Sequence, residues 1–220
     1  VPQNYLNVLK KTENENTAKK TKTTKTIHGI EKQTTKETAD QIQQGIAKEI
    51  LRFHVLANSD SEEDQKLKLE VKDRLVDYMK DILDGAEDVK ETKKRITENR
   101  ETICLVAEQE IQKQGYTYPV SVNLEKCYFP MKTYGDCTFP AGTYEALRVC
   151  IGKAKGRNWW CVLYPGLCFA DSVNVIVPDE KKQELKNILT EEEYESLFDW
   201  REDDYQIRSG FLRLWRKLFA

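Results

Sequence analysis

The sequence contains no apolar run of the roughly 18 residues a membrane helix needs, and its most apolar stretch, Trp159 to Ala170, carries a Pro-Gly turn. Charge of one sign is not in excess. The 35 Lys and Arg face 37 Asp and Glu, a net −2, so nothing global points to nucleic acid or to an acidic substrate. HExxH, GxSxG and a phosphate-binding glycine loop are all missing, which removes the common hydrolase and nucleotide signatures. Histidine is scarce, with His28 and His54 only, and none of the six cysteines forms a CxxC pair, which argues against a four-cysteine zinc ribbon.

What is present divides the chain. It opens on Val1 rather than Met, as expected of a mature form whose targeting segment lies elsewhere. Residues 1–45 hold eight Lys against four Glu and one Asp, about +3, and few large apolar groups. Such a segment buries too little apolar surface to offset its ordering entropy and reads as a flexible Lys/Thr-rich tail or stalk. A short helix near Asp40 to Glu49 leads into a folded domain over 46–180, and 181–220 reads as a helical segment ending in the basic, amphipathic FLRLWRKLFA. The acids of REDDY, residues 201–205, read as solvated surface.

Within the domain, Leu51, Phe53, Val55 and Ala57 alternate onto one face of a strand, with Arg52, His54 and Leu56 on the other. The turn Asn58-Ser59-Asp60-Ser61 follows, and Ser59 with Glu62 or Asp60 with Glu63 fits a capping box. A helix should then present Leu67, Val71, Leu75, Met79 and Ile82 along one stripe and stop at Gly85. A second helix is expected from about Val89 to Gln114, with Ile96, Ile103, Ala107 and Ile111 inward. Val120, Val122 and Leu124 alternate as a strand, PMKTYGDCTFPAG reads as loop, and TYEALRVCIG alternates again. DSVNVIVP has the look of a short edge strand and EEEYESLF of a helix. The order strand–helix–helix–strand–strand predicts an α+β domain with two long helices on one face of a small, mostly antiparallel sheet. The other face is expected to carry Arg52, His54, Tyr144 and Arg148, with the segment KGRNWWCVLYPGLCF lying across it as a loop.

That segment pairs Trp159 and Trp160 with Cys161 and Cys168 and admits three chemical readings. A disulfide would close a loop around Pro165-Gly166, since a Pro-Gly turn brings its flanks together. A zinc site would use His54, Cys161 and Cys168, although the cysteine spacing exceeds the usual two to four residues. A thiol enzyme would pair Cys161 with His54, but the apolar neighbours of Cys161 raise a thiol pKa rather than lower it. His54 alone is more simply a half-buried, hydrogen-bonded strand residue, and Asn58 and Asp60 a turn and a helix cap. Cys104 and Cys150 pack as small hydrophobes, while Cys127 and Cys137 flank one loop and would suit a second bridge.

Three stretches together carry a family resemblance: LRFHVLANSDSEEDQKLKLEVKDRLV, then TYGDCTFPAGTYEALRVC, then IGKAKGRNWWCVLYPGLCF. Over roughly 45–172 they resemble stage II sporulation protein R of endospore-forming bacteria. The resemblance implies a signalling protein rather than an enzyme, without catalytic residues or a cofactor. It would be exported from the forespore into the space between the forespore and mother-cell membranes. There it would activate a membrane-embedded aspartic-type protease similar to stage II sporulation protein GA, which processes the sigma E precursor in the mother cell. The tail would follow the export segment. Export implies the Cys161–Cys168 disulfide and sets the metal- or thiol-enzyme reading with His54 second. The expected protease contacts are Arg52, His54, Asn58, Asp60, Tyr144, Glu145, Trp159 and Trp160, because exposed aromatic groups anchor interfaces well. The basic C-terminal segment would meet an anionic membrane surface; no nucleic-acid partner or small-molecule substrate is expected.

Overall fold

The computed structural model describes residues 38–169 and 176–198. The Lys/Thr-rich tail up to residue 37, the REDDY acids, the C-terminal amphipathic stretch and most of the expected edge strand at 171–178 lie outside them; residues 38–45, expected to belong to the tail, are helical. The chain divides into one unit ending at Ile42 and another beginning at Gln43. Of the first, only the start of the helix at 38–49 (α1) is described; the second holds the whole sheet.

The fold is α+β, as the sequence pattern predicts. Strand β1 (Leu51–Leu56) is buried throughout. Helix α2 (Glu62–Leu83) buries Leu67, Val71, Leu75 and Met79, the expected stripe. Its N-cap is Ser61, which accepts from the Asp64 amide at 3.2 Å. The expected caps are displaced because Asn58 and Ser59 both donate to the Asp64 carboxylate, at 2.8 and 2.5 Å. Hydrogen bonding from Ser59 and Asn58 holds that carboxyl below its ordinary pKa against the opposing effect of desolvation.

The expected single helix over 89–114 is two, α3 (Val89–Glu98) and α4 (Arg100–Lys113), hinged at Asn99. The Asn99 side chain donates back to the Arg95 carbonyl at 2.9 Å, a local bond that competes with the helical ladder. The Arg95 guanidinium donates to the Asp84 carbonyl at 2.5 Å and ties α3 to the end of α2. The break lets Ile96 and Ile103 both reach the core.

Strands β2 (Val120–Phe129), β5 (Gly142–Ile151) and β6 (Asn158–Tyr164) complete the main sheet in the order β2-β5-β1-β6. Both outer pairings are antiparallel, and the central β1–β5 pair is parallel. The stretch expected to be loop between β2 and β5 contains a small hairpin, β3 (Lys132–Tyr134) with β4 (Cys137–Phe139). Strands of three residues are too short to leave a readable alternation. Two further helices, α5 (Asp179–Ile188) and α6 (Glu191–Ser196), follow; α6 opens on a capping box between Thr190 and Glu193. The main core lies between the sheet and α2–α4, with Phe53, Val55, Leu147, Val149 and Ile151 from the strands against the buried helix stripes.

Candidate recognition face

The segment expected to lie as a loop across the sheet is strand β6, paired with β1 in the register His54–Trp160 and Phe53–Cys161. Four of the seven residues of β6 are aromatic or β-branched, types that suit a sheet, and the side of β1 away from β5 provides a position. Because successive side chains point to opposite faces, the two tryptophans separate. Trp159 turns toward the helices: it meets Phe53 edge-on at 5.6 Å, and Lys72 Nζ stands 5.1 Å from its ring centroid. Trp160 turns to the opposite face and stacks on His54 at 5.0 Å with 18° between the rings. The two therefore form no single aromatic surface.

The face away from α2–α4 divides into two parts. Around Arg52 it is closed, and by the β3–β4 hairpin rather than by the loop expected to lie across it. The β3–β4 hairpin brings Tyr134 and Phe139 over the guanidinium, whose carbon lies 4.5 Å from the Phe129 ring, 5.3 Å from Phe139, 5.2 Å from Tyr144 and 5.8 Å from Tyr134. Arg52 is fully buried. Its Nε donates to the Cys161 carbonyl at 3.2 Å and its Nη2 to the Tyr134 hydroxyl at 3.1 Å, while Nη1 finds no partner among the described residues. Its described contacts include no carboxylate ion pair. Desolvation pulls its pKa below the usual arginine value, yet a guanidinium stays protonated in proteins. The negative faces of four rings hold a charge that an acid would ordinarily hold. Tyr144 belongs to this interior: it is buried and donates to the Pro140 carbonyl at 2.7 Å.

The second part is more open. His54 lies beneath Trp160 and against Phe129, at 5.2 Å, with both ring nitrogens buried and without a hydrogen-bond partner among the described residues. Desolvation, then the Arg148 charge, pushes its pKa down to about 4, with Glu125 opposing and Arg52 adding slightly. Arg148 Nη1 donates to Glu125 Oε1 at 2.7 Å, a half-exposed ion pair across β2 and β5 beside the histidine. Trp160, Arg148 and Glu125 are thus among the partly accessible groups of this face.

Three other expected contacts have structural work. Glu145 points to the helix side and pairs with Lys93 at 2.7 Å. Asn58 Oδ1 accepts from the Lys153 amide at 2.9 Å, and Asp60 Oδ1 from the Arg157 amide at 2.7 Å, so both fasten the β5–β6 turn to the end of β1. A Cβ on Gly156 would collide with the Ser59 carbonyl, which fixes glycine at that crossing.

Cys161 and Cys168 form a disulfide with Cα atoms 5.7 Å apart, tying β6 to the 3-10 turn at Leu167–Phe169. Cys161 lies on the helix side in register with Phe53, and His54 on the other, so the zinc and thiol readings that joined them fail on strand parity. Among the described residues no group of three or more His, Cys, Asp or Glu is placed to hold a metal. The Cys127–Cys137 bridge is not formed: Cys127 sits on β2 and Cys137 is buried in the hairpin, its thiol pushed up to about 12 by burial. Reducing the disulfide, with a separation of seven residues, is expected to cost about 2.5 kcal/mol on the chain-entropy account. Urea melts of the wild type and of Cys161→Ala/Cys168→Ala check it, and equal midpoints would refute it.

Sequence reasoning missed Phe129, Tyr134, Phe139 and Glu125. The alternation Asn123, Glu125, Cys127, Phe129 on β2 carried the signal for two of them; the hairpin pair had none.

The chain matches the family profile described as Stage II sporulation protein R over residues 47–174, which includes every strand of the main sheet. It is 33% identical over 174 residues to Stage II sporulation protein R of Bacillus subtilis (strain 168), covering 77% of this chain and 76% of that protein. No solved structure gives a significant match.

Proposed function

The chain belongs to the stage II sporulation protein R family, and from that premise we propose that it is an exported sporulation signal that activates a membrane-embedded aspartic-type protease by direct binding. The protease would resemble stage II sporulation protein GA and process the sigma E precursor in the mother cell. The observation that carries the reading is the match over residues 47–174. Two features are in keeping with it. The Cys161–Cys168 disulfide suits an oxidising extracytoplasmic space. The sheet face away from the main helices offers a half-buried tryptophan beside an ion pair, the kind of amphipathic patch that partner surfaces use. None of the described helices is long and apolar enough to cross a membrane.

The test is reconstitution: the protease in vesicles with the sigma precursor, and the purified chain added from outside. Cleavage is expected only with the chain present; precursor cut equally well without it would overturn the reading. The two tryptophans should separate. Trp160→Ala is expected to lower potency by about tenfold or more with the fold retained. Trp159→Ala is expected to cost about 2–4 kcal/mol of stability and leave potency intact where the protein is folded. The assignment of the contact face fails if both folded variants activate fully.

A further inference from the structure

The two edges of the main sheet are finished differently. At the β6 edge the pairing with β1 is irregular between Leu51 and Arg52, and the strand runs into a turn stapled by the disulfide. The β2 edge is long and regular: ten residues pair with β5 without a bulge. The Gly152 amide donates to the Pro119 carbonyl at 2.9 Å, just beyond the last pair. An antiparallel ladder bonds alternate residues, so this bond fixes the phase. The odd-numbered residues of β2 turn their amides and carbonyls toward β5, and the even-numbered ones turn theirs outward. Near the start of the strand α4 closes the edge, with the Cys104 thiol donating to the Val120 carbonyl at 3.5 Å. Farther along, Leu124, Lys126 and Tyr128 direct their backbone groups away from the sheet, and among the described residues no strand pairs with them. Lys126 is exposed and makes no ion pair among the described residues, and Tyr128 is 67% exposed.

Natural proteins blunt such edges with proline, bulges or several inward charges. Over this stretch there is no proline or bulge, and of its two charged residues Glu125 is already held by Arg148, which leaves Lys126. We infer that the β2 edge at Leu124–Tyr128 is the docking site for an extended segment of the protease, which joins the sheet as a fifth strand. This rests on the functional reading above. Main-chain bonds from the three outward residues would supply affinity, and alternate side chains would supply specificity. On the helix side, the incoming strand should place an acidic residue opposite Lys126 and an apolar one beside the half-buried Leu124. A second copy of the chain fits less well. In an antiparallel two-fold pairing its β2 presents Val122, Leu124, Lys126 and Tyr128 on that same side, with no carboxylate for Lys126.

The experiment uses the full chain and the reconstituted protease, with binding and site-resolved amide exchange measured together. In the complex, exchange at Leu124, Lys126 and Tyr128 is expected to slow by about tenfold or more relative to the free chain. Lys126→Pro removes only an outward amide and leaves the ladder to β5 intact. It is expected to bind about tenfold or more weakly while its free-state melting is nearly unchanged. Should the proline variant misfold, exchange on the wild type decides alone. If the wild type binds and activates the protease while protection falls elsewhere, strand addition is wrong and the functional reading stands. If the wild type does not bind, both fall. A dimer of the free chain that already protects these amides would also overturn the inference.

Discussion

Arg52→Ala is expected to lose about 3–5 kcal/mol of stability, the range for removing a large buried side chain and stranding its partners. The guanidinium is fully buried among Phe129, Tyr134, Phe139 and Tyr144. Its removal leaves an empty space between the main sheet and the β3–β4 hairpin and takes away the donor that its Nε gives the Cys161 carbonyl. Arg52→Met should behave differently. Breaking an ordinary buried ion pair leaves an uncompensated charge, but here no carboxylate stays behind. A flexible apolar side chain fills much of the volume and keeps contact with the rings. The methionine variant is therefore expected within about 2 kcal/mol of the wild type. Urea denaturation of the three proteins decides it. A methionine variant as unstable as the alanine one would mean that the charge itself, not the volume, holds the hairpin down.

Lowering the pH from 6.5 toward 4 should remove on the order of 3 kcal/mol of stability through His54 alone. Its folded-state pKa of about 4 lies below the ordinary 6.5, chiefly because burial disfavours the charged ring. The unfolded chain therefore takes up the proton first. The contribution is complete above pH 6.5 and is lost as the pH falls through the window down to about 4. The charged groups facing the ring are Arg148 on β5 and Arg52 on its own strand, both unfavourable to protonation, and Glu125 on β2, which favours it. Asp64, Glu91, Glu110 and Asp136 have lowered pKa values and also lose stability in acid, each from below its ordinary carboxylate value. The difference between the wild type and His54→Phe, measured by urea melts from pH 7.5 to 4.5, isolates the histidine. A difference that does not change with pH would refute the account.

The two halves of the sheet show how far the sequence could be read. On β1 the alternation of Leu51, Phe53 and Val55 with Arg52, His54 and Leu56 is a local property, and period 2 assigns each residue to its face. The stripe Leu67, Val71, Leu75, Met79 in α2 is equally local. The same rule, applied to β6, would have placed Trp159 and Trp160 on opposite faces. The aromatic density and the Pro-Gly turn favoured a loop instead, and nothing within the segment reveals that β1 has an unpaired side to receive it. The parallel pairing of β1 with β5 likewise depends on how α2–α4 cross over the sheet. The break at Asn99 depends on a side-chain bond that a continuous hydrophobic period does not report.

By itself, the sequence determined β1, β2, β5, α2, the helix-side core and the family, because these follow from periodicity and from motifs contiguous along the chain. Whether the opposite face was open was decided only by the tertiary structure. Residues 82 apart in sequence, Arg52 and Tyr134, meet there because the hairpin folds back over the sheet. That closure buries Arg52 and Tyr144 and leaves Trp160, Arg148 and Glu125 accessible, while strand alternation sets Trp159 and Glu145 on the other side. A side chain's neighbours across a sheet are fixed by strand order and register, which no local stretch of sequence contains.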